Sequence, residues 1–295
     1  MQDDTEVLAM PTEIHRSPSD DGTEIAGHIY GQGPRLVVVH GQTSDGDVDW
    51  AGLLPHLTDR FTCYLPSTRG RGLSGEHPDL SPERRVEDIT AFVDSIGDQV
   101  VLVGHSAGGV LALGAAARCP AVAAVVAYEP PAPEALSEEE AQRLEQPIDA
   151  MAHALAQGQM TEAMRGFLEF VANDDEMAAL DAADYVDSTA KYAPTLFQEL
   201  QLEAQPLAFS PTAPSMLAEI NAPVLLLHGT RTPLRWFTDA AHHVADHVTD
   251  AEVREISGAG HAGPILEPEA VADELVSFLA TSPAVGPPHA TAARA

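Results

Sequence analysis

Residues Gly104-His105-Ser106-Ala107-Gly108 directly follow the apolar run Gln99-Val100-Val101-Leu102-Val103 and lead into a small-residue stretch from Gly109 to Arg118. A serine caught between a strand and a helix sits on a strained turn. Small residues two positions before and after it let strand and helix approach closely, and Gly104 and Gly108 supply them. Such a turn lifts the Ser106 hydroxyl clear of the sheet and aims the N-terminus of the following helix at any oxyanion formed there. Ser106 is therefore a candidate nucleophile, and it requires a base brought from elsewhere in the chain.

An elbow of this kind needs a sheet to stand on. Short β-branched runs alternate with helical patterns, which predicts an α/β chain with a mostly parallel sheet wrapped by helices. Strands are predicted near 10–17, 24–31, 35–40, 61–66, 99–103, 121–128, 222–228 and 251–256. Helices are predicted near 48–58, 81–97, 107–118, 235–247 and 268–280, with start signals at Ser81-Pro82-Glu83 and Glu267-Pro268-Glu269. The turn Ser19-Asp20-Asp21-Gly22 pairs the first two strands antiparallel. About ninety residues between the sixth and seventh strands carry no strand signal and are rich in Ala, Glu, Gln, Leu and Met. They are entered through Pro130-Pro131-Ala132-Pro133 and left through Pro206 to Pro214, breakers that would set a helical lid over the sheet's C-terminal edge. Met151, Met160, Met164, Phe167 and Phe170 are expected to fill that bundle, some of them lining a pocket. The expected organisation is a core of residues 1–130 and 222–281, a helical cap of 131–221 and a loose tail of 282–295.

From about residue 22 to 280 the chain resembles the α/β-hydrolase superfamily. The resemblance rests on the elbow, on His40-Gly41-Gln42 followed by Trp50, on Arg69-Gly70-Arg71-Gly72-Leu73-Ser74, and on Ser257-Gly258-Ala259-Gly260-His261. It implies an eight-stranded α/β-hydrolase sheet with a helical cap between strands 6 and 7. It also implies an oxyanion hole made of the backbone N–H groups of Gln42 and Ala107, and His261 as general base, swung onto the serine by its glycine loop. Ser67 stands where the superfamily usually has aspartate in the Arg69 turn, a slot read as structural support. The usual acid position, in Gly229-Thr230-Arg231-Thr232-Pro233, holds Thr232, which can hydrogen-bond an imidazole but cannot supply the charge that stabilises an imidazolium. Glu129, in Val126-Ala127-Tyr128-Glu129-Pro130-Pro131, offers a carboxylate at the tip of the sixth strand. Branches of the superfamily, some haloalkane dehalogenases and the zearalenone-type lactonases among them, carry their acid there. Glu129 is accordingly expected to complete a triad; the alternative is an ordinary loop glutamate.

The implied activity is cleavage of a carboxylic ester or lactone through an acyl-enzyme on Ser106, with a mostly apolar small molecule as substrate. Hydrolysis of a carbon–carbon bond and cofactor-free perhydrolysis of the haloperoxidase type run on the same frame, and a non-catalytic ligand receptor is the remaining alternative. No cofactor and no metal are expected. Gly70-x-Gly72-x-x-Gly75 and Gly258-x-Gly260-x-x-Gly263 match a dinucleotide fingerprint as strings but lack its βαβ context, and His243 and His247 share a helix face without a third ligand. The net charge of −30, from 45 acidic and 15 basic side chains with Lys191 the sole lysine, argues against nucleic acid as a partner. The dispersed acids resemble the coat of proteins from salt-loving archaea; an acidic enzyme of a GC-rich bacterium is the alternative. Cys63 and Cys119 read as inert core thiols. Met1-Gln2-Asp3-Asp4 lacks the pattern of a signal peptide and no apolar run approaches a membrane span, so a cytoplasmic protein without membrane contact is expected, its oligomeric state open.

Overall fold

Four apolar runs, Arg35–Val39, Val100–His105, Val122–Tyr128 and Val224–Gly229, are too continuous for a sheet with one wet face, and each is buried on both. Their alternate residues divide between two cores. Val37, Val39, Leu102 and Leu226 face one, while Leu36, Val38, Val103 and Leu227 face the other.

The computed structural model describes residues 11–205 and 209–282. In chain order these form β1 (Glu13–Pro18), β2 (Glu24–Gly31), β3 (Arg35–Val39), α1 (Gly46–Trp50), α2 (Leu54–Leu57), β4 (Thr62–Pro66), α3 (Pro82–Ile96), β5 (Val100–His105), α4 (Ala107–Ala116) and β6 (Val122–Tyr128). Then come α5 (Glu138–Ala156), α6 (Met160–Val171), α7 (Asp174–Ala182), α8 (Tyr185–Thr189), α9 (Ala193–Glu203) and α10 (Pro214–Leu217). The chain returns to the sheet with β7 (Val224–Gly229), α11 (Arg235–His247), β8 (Ala251–Ile256), α12 (Gly263–Leu266) and α13 (Pro268–Thr281). The eight strands lie in the order β1-β2-β4-β3-β5-β6-β7-β8. β1, β2 and β4 pair antiparallel, and every pairing from β4 through β3 to β8 is parallel. Three consecutive parallel neighbours, β5, β6 and β7, therefore bring their C-terminal tips side by side.

Helices α3, α4, α10 and α11 contribute Val86, Leu113, Leu217 and Val244 to the core on one face. Trp50, Leu57 and Phe278, from α1, α2 and α13, fill the other. Helices α5 to α9 build a third cluster around Met164, Leu180 and Leu196, which joins the sheet's helices through Leu234 and Phe237. None of the helices is long and apolar enough to cross a membrane, among the described residues.

The single helix expected at 48–58 is instead two short ones, α1 and α2. Pro55, at the start of α2, lacks the N–H that would continue the ladder and its ring clashes with the preceding turn. Asp45 starts α1 early by accepting from the N–H groups of Asp47 and Val48. Helix α12 was not signalled in sequence. The expected strand start at Met10, the Pro206 breaker, the N-terminal Met1-Gln2-Asp3-Asp4 and the tail beyond Ser282 lie outside the described residues. Cys63 and Cys119 are buried free thiols, and burial pushes them up to about 12 and about 11 respectively.

At the elbow the demand for small residues is literal. A Cβ on Gly108 would lie 2.2 Å from the Val39 carbonyl oxygen, and one on Gly104 would lie 2.4 Å from the carbonyl oxygen of Gly108. Backbone cannot yield as a side chain can. Gly108→Ala is expected to cost at least about 2 kcal/mol in urea unfolding. Gly166→Ala, in α6 with nothing within 4 Å of the added methyl, serves as the control and should be neutral or stabilising. Equal midpoints for the two variants would refute the close strand-to-helix contact.

Candidate active site

Ser106 follows β5 with φ of 53°, a left-handed conformation that a non-glycine residue adopts only under constraint. The constraint is visible: its N–H donates to the Tyr128 carbonyl at 2.8 Å, and its own carbonyl accepts from Gly109 N–H at 2.8 Å. The Ser106 hydroxyl lies 3.1 Å from Nε2 of His261. On the opposite side of that ring, Nδ1 donates to Oε2 of Glu129 at 2.7 Å. With Nδ1–H committed to a carboxylate, Nε2 carries the lone pair and accepts from the serine hydroxyl.

Glu129 is also left-handed, with φ of 45°, and is fully buried. Its position at the tip of β6 puts it between β5 and β7. Oε1 accepts from Gly229 N–H at 2.9 Å, and Oε2 accepts from the Thr232 hydroxyl at 3.0 Å as well as from His261. Thr232, in the slot the superfamily usually gives to an acid, thus bonds the carboxylate and not the imidazole.

The loop carrying His261 is held from several directions, in contrast to the swinging loop expected from its glycines. The Gly260 carbonyl accepts from Tyr128 OH at 2.5 Å, the His261 carbonyl accepts from His105 Nε2 at 2.9 Å, and Ala262 N–H donates to Glu176 of α7 at 2.8 Å. Phe237 stacks on the imidazole with centroids 4.1 Å apart. His105 faces two acceptors, because Nδ1 also meets the Asp49 carboxylate at 3.0 Å. Burial works against its charge, but the Asp49 carboxylate and the hydrogen bonds outweigh it and hold the pKa above the ordinary histidine value. Asp49, although wholly buried, is held down to about 2, chiefly by His105. Its Oδ2 accepts from Gly41 N–H at 2.9 Å, which fixes the peptide preceding Gln42. His40 is structural too, donating from Nδ1 to Gly41 O and accepting from Thr68 N–H at Nε2. The backbone N–H groups of Gln42 and Ala107 donate to no other protein group among the described residues. Gln42, Ala107 and Ser106 line one cavity.

A sequence profile described as "Alpha/beta hydrolase family" matches residues 36–274. The chain belongs to the α/β-hydrolase family. Among similar proteins, the N-formylmaleamate deformylase of Pseudomonas putida is 37% identical over 105 residues, 34% of this chain and 39% of that protein. The pimeloyl-(acyl-carrier protein) methyl ester esterase of Stenotrophomonas maltophilia is 37% identical over 94 residues, 32% of this chain and 35% of that protein. The matched stretches thus span little more than a third of these relatives. A solved α/β hydrolase from Sphaerobacter thermophilus DSM 20745 superposes with a TM-score of 0.71 at 28% identity, over 90% of this chain and 99% of that one.

This α/β hydrolase ties its Gln42 segment to a buried charge network that the sequence did not reveal. Arg71, in the turn after β4, donates to Gln42 O at 2.7 Å and forms a bidentate pair with Glu199 of α9 at 2.7 and 2.8 Å. Arg85 of α3 lies 3.5 Å from Glu199 and is paired with Glu203 at 2.5 Å, and Glu203 accepts from the Gln42 side chain at 3.0 Å. Burial would raise the Glu199 carboxyl, but Arg71 and Arg85 hold it below the usual range. Ser67, in the slot read as structural support, accepts from Gly46 N–H at 3.3 Å. Ser106 opens onto two spaces. One, of about 340 Å³, runs between α4, α5 and α9 and includes Val110, Leu144, Phe170 and Trp236. The other, of about 30 Å³, includes His261, Thr43, Leu180 and Ile265.

Removing one member of the Arg71–Glu199 pair leaves a desolvated charge. Arg71→Met is expected to cost about 3–5 kcal/mol, and the double variant Arg71→Met/Glu199→Met distinctly less, since no orphaned carboxylate remains. Urea unfolding of the three proteins checks this, and a loss below about 1 kcal/mol for Arg71→Met would contradict a tightly paired network.

Proposed function

We propose that this chain is a serine hydrolase that cleaves a carboxylic ester or lactone through an acyl-enzyme on Ser106. The observation that carries the reading is the unbroken relay from the Ser106 hydroxyl through His261 to the buried Glu129 carboxylate. Ser106 Oγ attacks the substrate carbonyl as its proton passes to His261 Nε2. The oxyanion that forms turns to the N–H groups of Gln42 and Ala107, and Glu129 stabilises the imidazolium. His261 then gives that proton to the leaving alcohol, and water repeats the sequence to release the acid. A complete relay beside two unpaired N–H donors supports an enzyme over a ligand receptor. One relative named as a methyl ester esterase and another as a deformylase also support hydrolysis at a carbonyl.

On this reading residues 131–221 act as a cap over a core of 1–130 and 222–281, and the apolar lining of the larger cavity suits a mostly hydrophobic substrate. Ser106→Ala should abolish ester hydrolysis and labelling by a fluorophosphonate while leaving the melting temperature near that of the parent. Glu129→Gln keeps shape but removes the charge, and should lower kcat by about 10⁴-fold. Thr232→Ala, which removes one of the donors to that carboxylate, should cost far less. In the Glu129→Gln background, Thr232→Asp should restore part of the loss. Near-parental kcat in Glu129→Gln would return Glu129 to an ordinary buried carboxylate.

The acidic excess, 45 carboxylates against 15 basic side chains, is read as an adaptation to concentrated salt. Screening relieves their mutual repulsion, and high salt also favours apolar burial. The melting temperature should therefore rise by at least about 3 °C from dilute buffer to molar KCl, the shift given by about 1 kcal/mol in a domain of this size. An unchanged or lower value would contradict salt adaptation and leave the hydrolase assignment intact.

A further inference from the structure

The two spaces that meet at Ser106 differ about tenfold in volume, about 340 Å³ against about 30 Å³. They also differ in which parts of the machinery reach them. Ala107, with its unpaired N–H, lines only the larger one, and His261 lines only the smaller one, while Ser106 and Gln42 border both.

We propose that the smaller space receives the alcohol half of the substrate and the larger one its acyl half, so that the preferred substrates are linear esters of a one- or two-carbon alcohol with a longer apolar acid. This rests on the acyl-enzyme reading above and narrows it. A tetrahedral carbon at Ser106 has four substituents, and the protein fixes the direction of three. One is Oγ itself, the second is the oxyanion facing the N–H groups of Gln42 and Ala107, and the third is the leaving oxygen, which must lie within reach of His261 Nε2 to take its proton. The leaving group therefore occupies the space that His261 lines. The acyl carbon chain takes the remaining direction, into the larger space walled by Val110, Leu144, Ile148 and Phe170.

The sizes of the two spaces then set specificity. At about 10–15 Å³ of such space per water, about 30 Å³ holds two or three water-sized groups, enough for a methyl or ethyl group and too little for a longer chain without displacing the wall. That wall is firm where Leu180 is buried, and its polar part is also engaged, since Thr43 Oγ1 and Tyr185 OH lie 3.0 Å apart and Tyr185 OH reaches Asp49. After the alcohol departs, the same volume admits the water that attacks the acyl-enzyme, from the side on which His261 can accept its proton. Atoms balance as in any ester hydrolysis: one water is consumed, and one alcohol and one acid are released.

Methyl hexanoate and pentyl acetate are isomers with the same ester chemistry and opposite distributions of carbon, so they test the partition directly. In pH-stat assays kcat/KM for methyl hexanoate is expected to exceed that for pentyl acetate by at least about tenfold, the scale set by misplaced methylenes in a closed pocket. Ile265→Ala, which enlarges the smaller space, should raise pentyl acetate turnover relative to methyl hexanoate. Leu144→Trp, which fills the larger one, should depress methyl hexanoate far more than methyl acetate. Equal or reversed preference in the parent, or a ratio unmoved by both substitutions, would overturn the partition while Ser106-dependent hydrolysis still stood. Turnover of neither isomer, with no fluorophosphonate label on Ser106, would instead overturn the serine-hydrolase reading and the partition with it.

Discussion

One buried carboxylate holds three separate chain segments in register. Glu129, at the tip of β6, accepts from Gly229 at the end of β7, from Thr232 in the following turn and from His261 after β8, and no part of it reaches solvent. A carboxylate stripped of water is costly unless its lone pairs are satisfied, and here three donors do so at 2.7 to 3.0 Å. That condition is met only because β6 lies between β5 and β7. A carboxylate on β7, the usual arrangement, would approach the imidazole from the next strand over. A carboxylate on β6 approaches from the strand directly beside the elbow, and the vacated slot on the β7 side is filled by a hydroxyl that feeds the same acceptor. The left-handed backbone at Ser106 and at Glu129 is the cost of aiming two neighbouring strand tips at a single ring.

Around this centre the chain uses buried charges in pairs. His105 and Asp49 form one pair beneath the elbow, where each sustains the other's ionised form against burial. Arg71 and Glu199 form another behind Gln42. Both pairs end on backbone groups of the segments that carry Gln42 and His261: Asp49 takes the Gly41 N–H, His105 donates to the His261 carbonyl, and Arg71 donates to the Gln42 carbonyl. In the hydrolysis proposed above, dipoles and charges oriented in this way before substrate arrives would leave little reorganisation for the moment at which charge develops. In a chain with a net charge of −30, an arginine at such a site is also selected from a small supply of cations.

The sequence was most readable where physics is local. The elbow was legible because steric need confines Gly104 and Gly108 to five contiguous residues, and the central strands were legible because both their faces are buried. Glu129 stood out because Thr232 leaves the superfamily's usual acid slot without a charge and the resemblance admits an acid at the neighbouring strand tip. What could not be read was non-local. His105 and Asp49 stand 56 residues apart, and Arg71 and Glu199 stand 128 apart, with nothing in either neighbourhood to announce the pairing. Arg71 occupied a turn position whose type carries no fixed expectation, and Glu199 was one more acid among many in a helical stretch. The firmness of the His261 loop was hidden for the same reason. Its glycines suggested freedom, while the groups that restrain it, Tyr128, His105, Glu176 and Phe237, lie on other elements.

The helices between β6 and β7 are therefore more than a roof. Glu176 of α7 takes the Ala262 N–H next to His261, and Glu199 and Glu203 of α9 neutralise Arg71 and Arg85 behind the Gln42 peptide. If α7 lifted, the peptide after His261 would lose its acceptor; if α9 lifted, two nearly buried guanidinium groups would lose their counter-ions. Each loss is of the kind that costs several kcal/mol when a buried partner is left alone. Helix α5 is tied as well: its buried Glu140 accepts from Trp236 N–H at 2.7 Å, so α5, α7 and α9 each carry a carboxylate that takes a donor from the core. On the serine-hydrolase reading proposed above, these charged ties lie on the side of the site where the proton and the oxyanion would be handled, while the apolar side chains of Leu144 and Ile148 line the larger cavity.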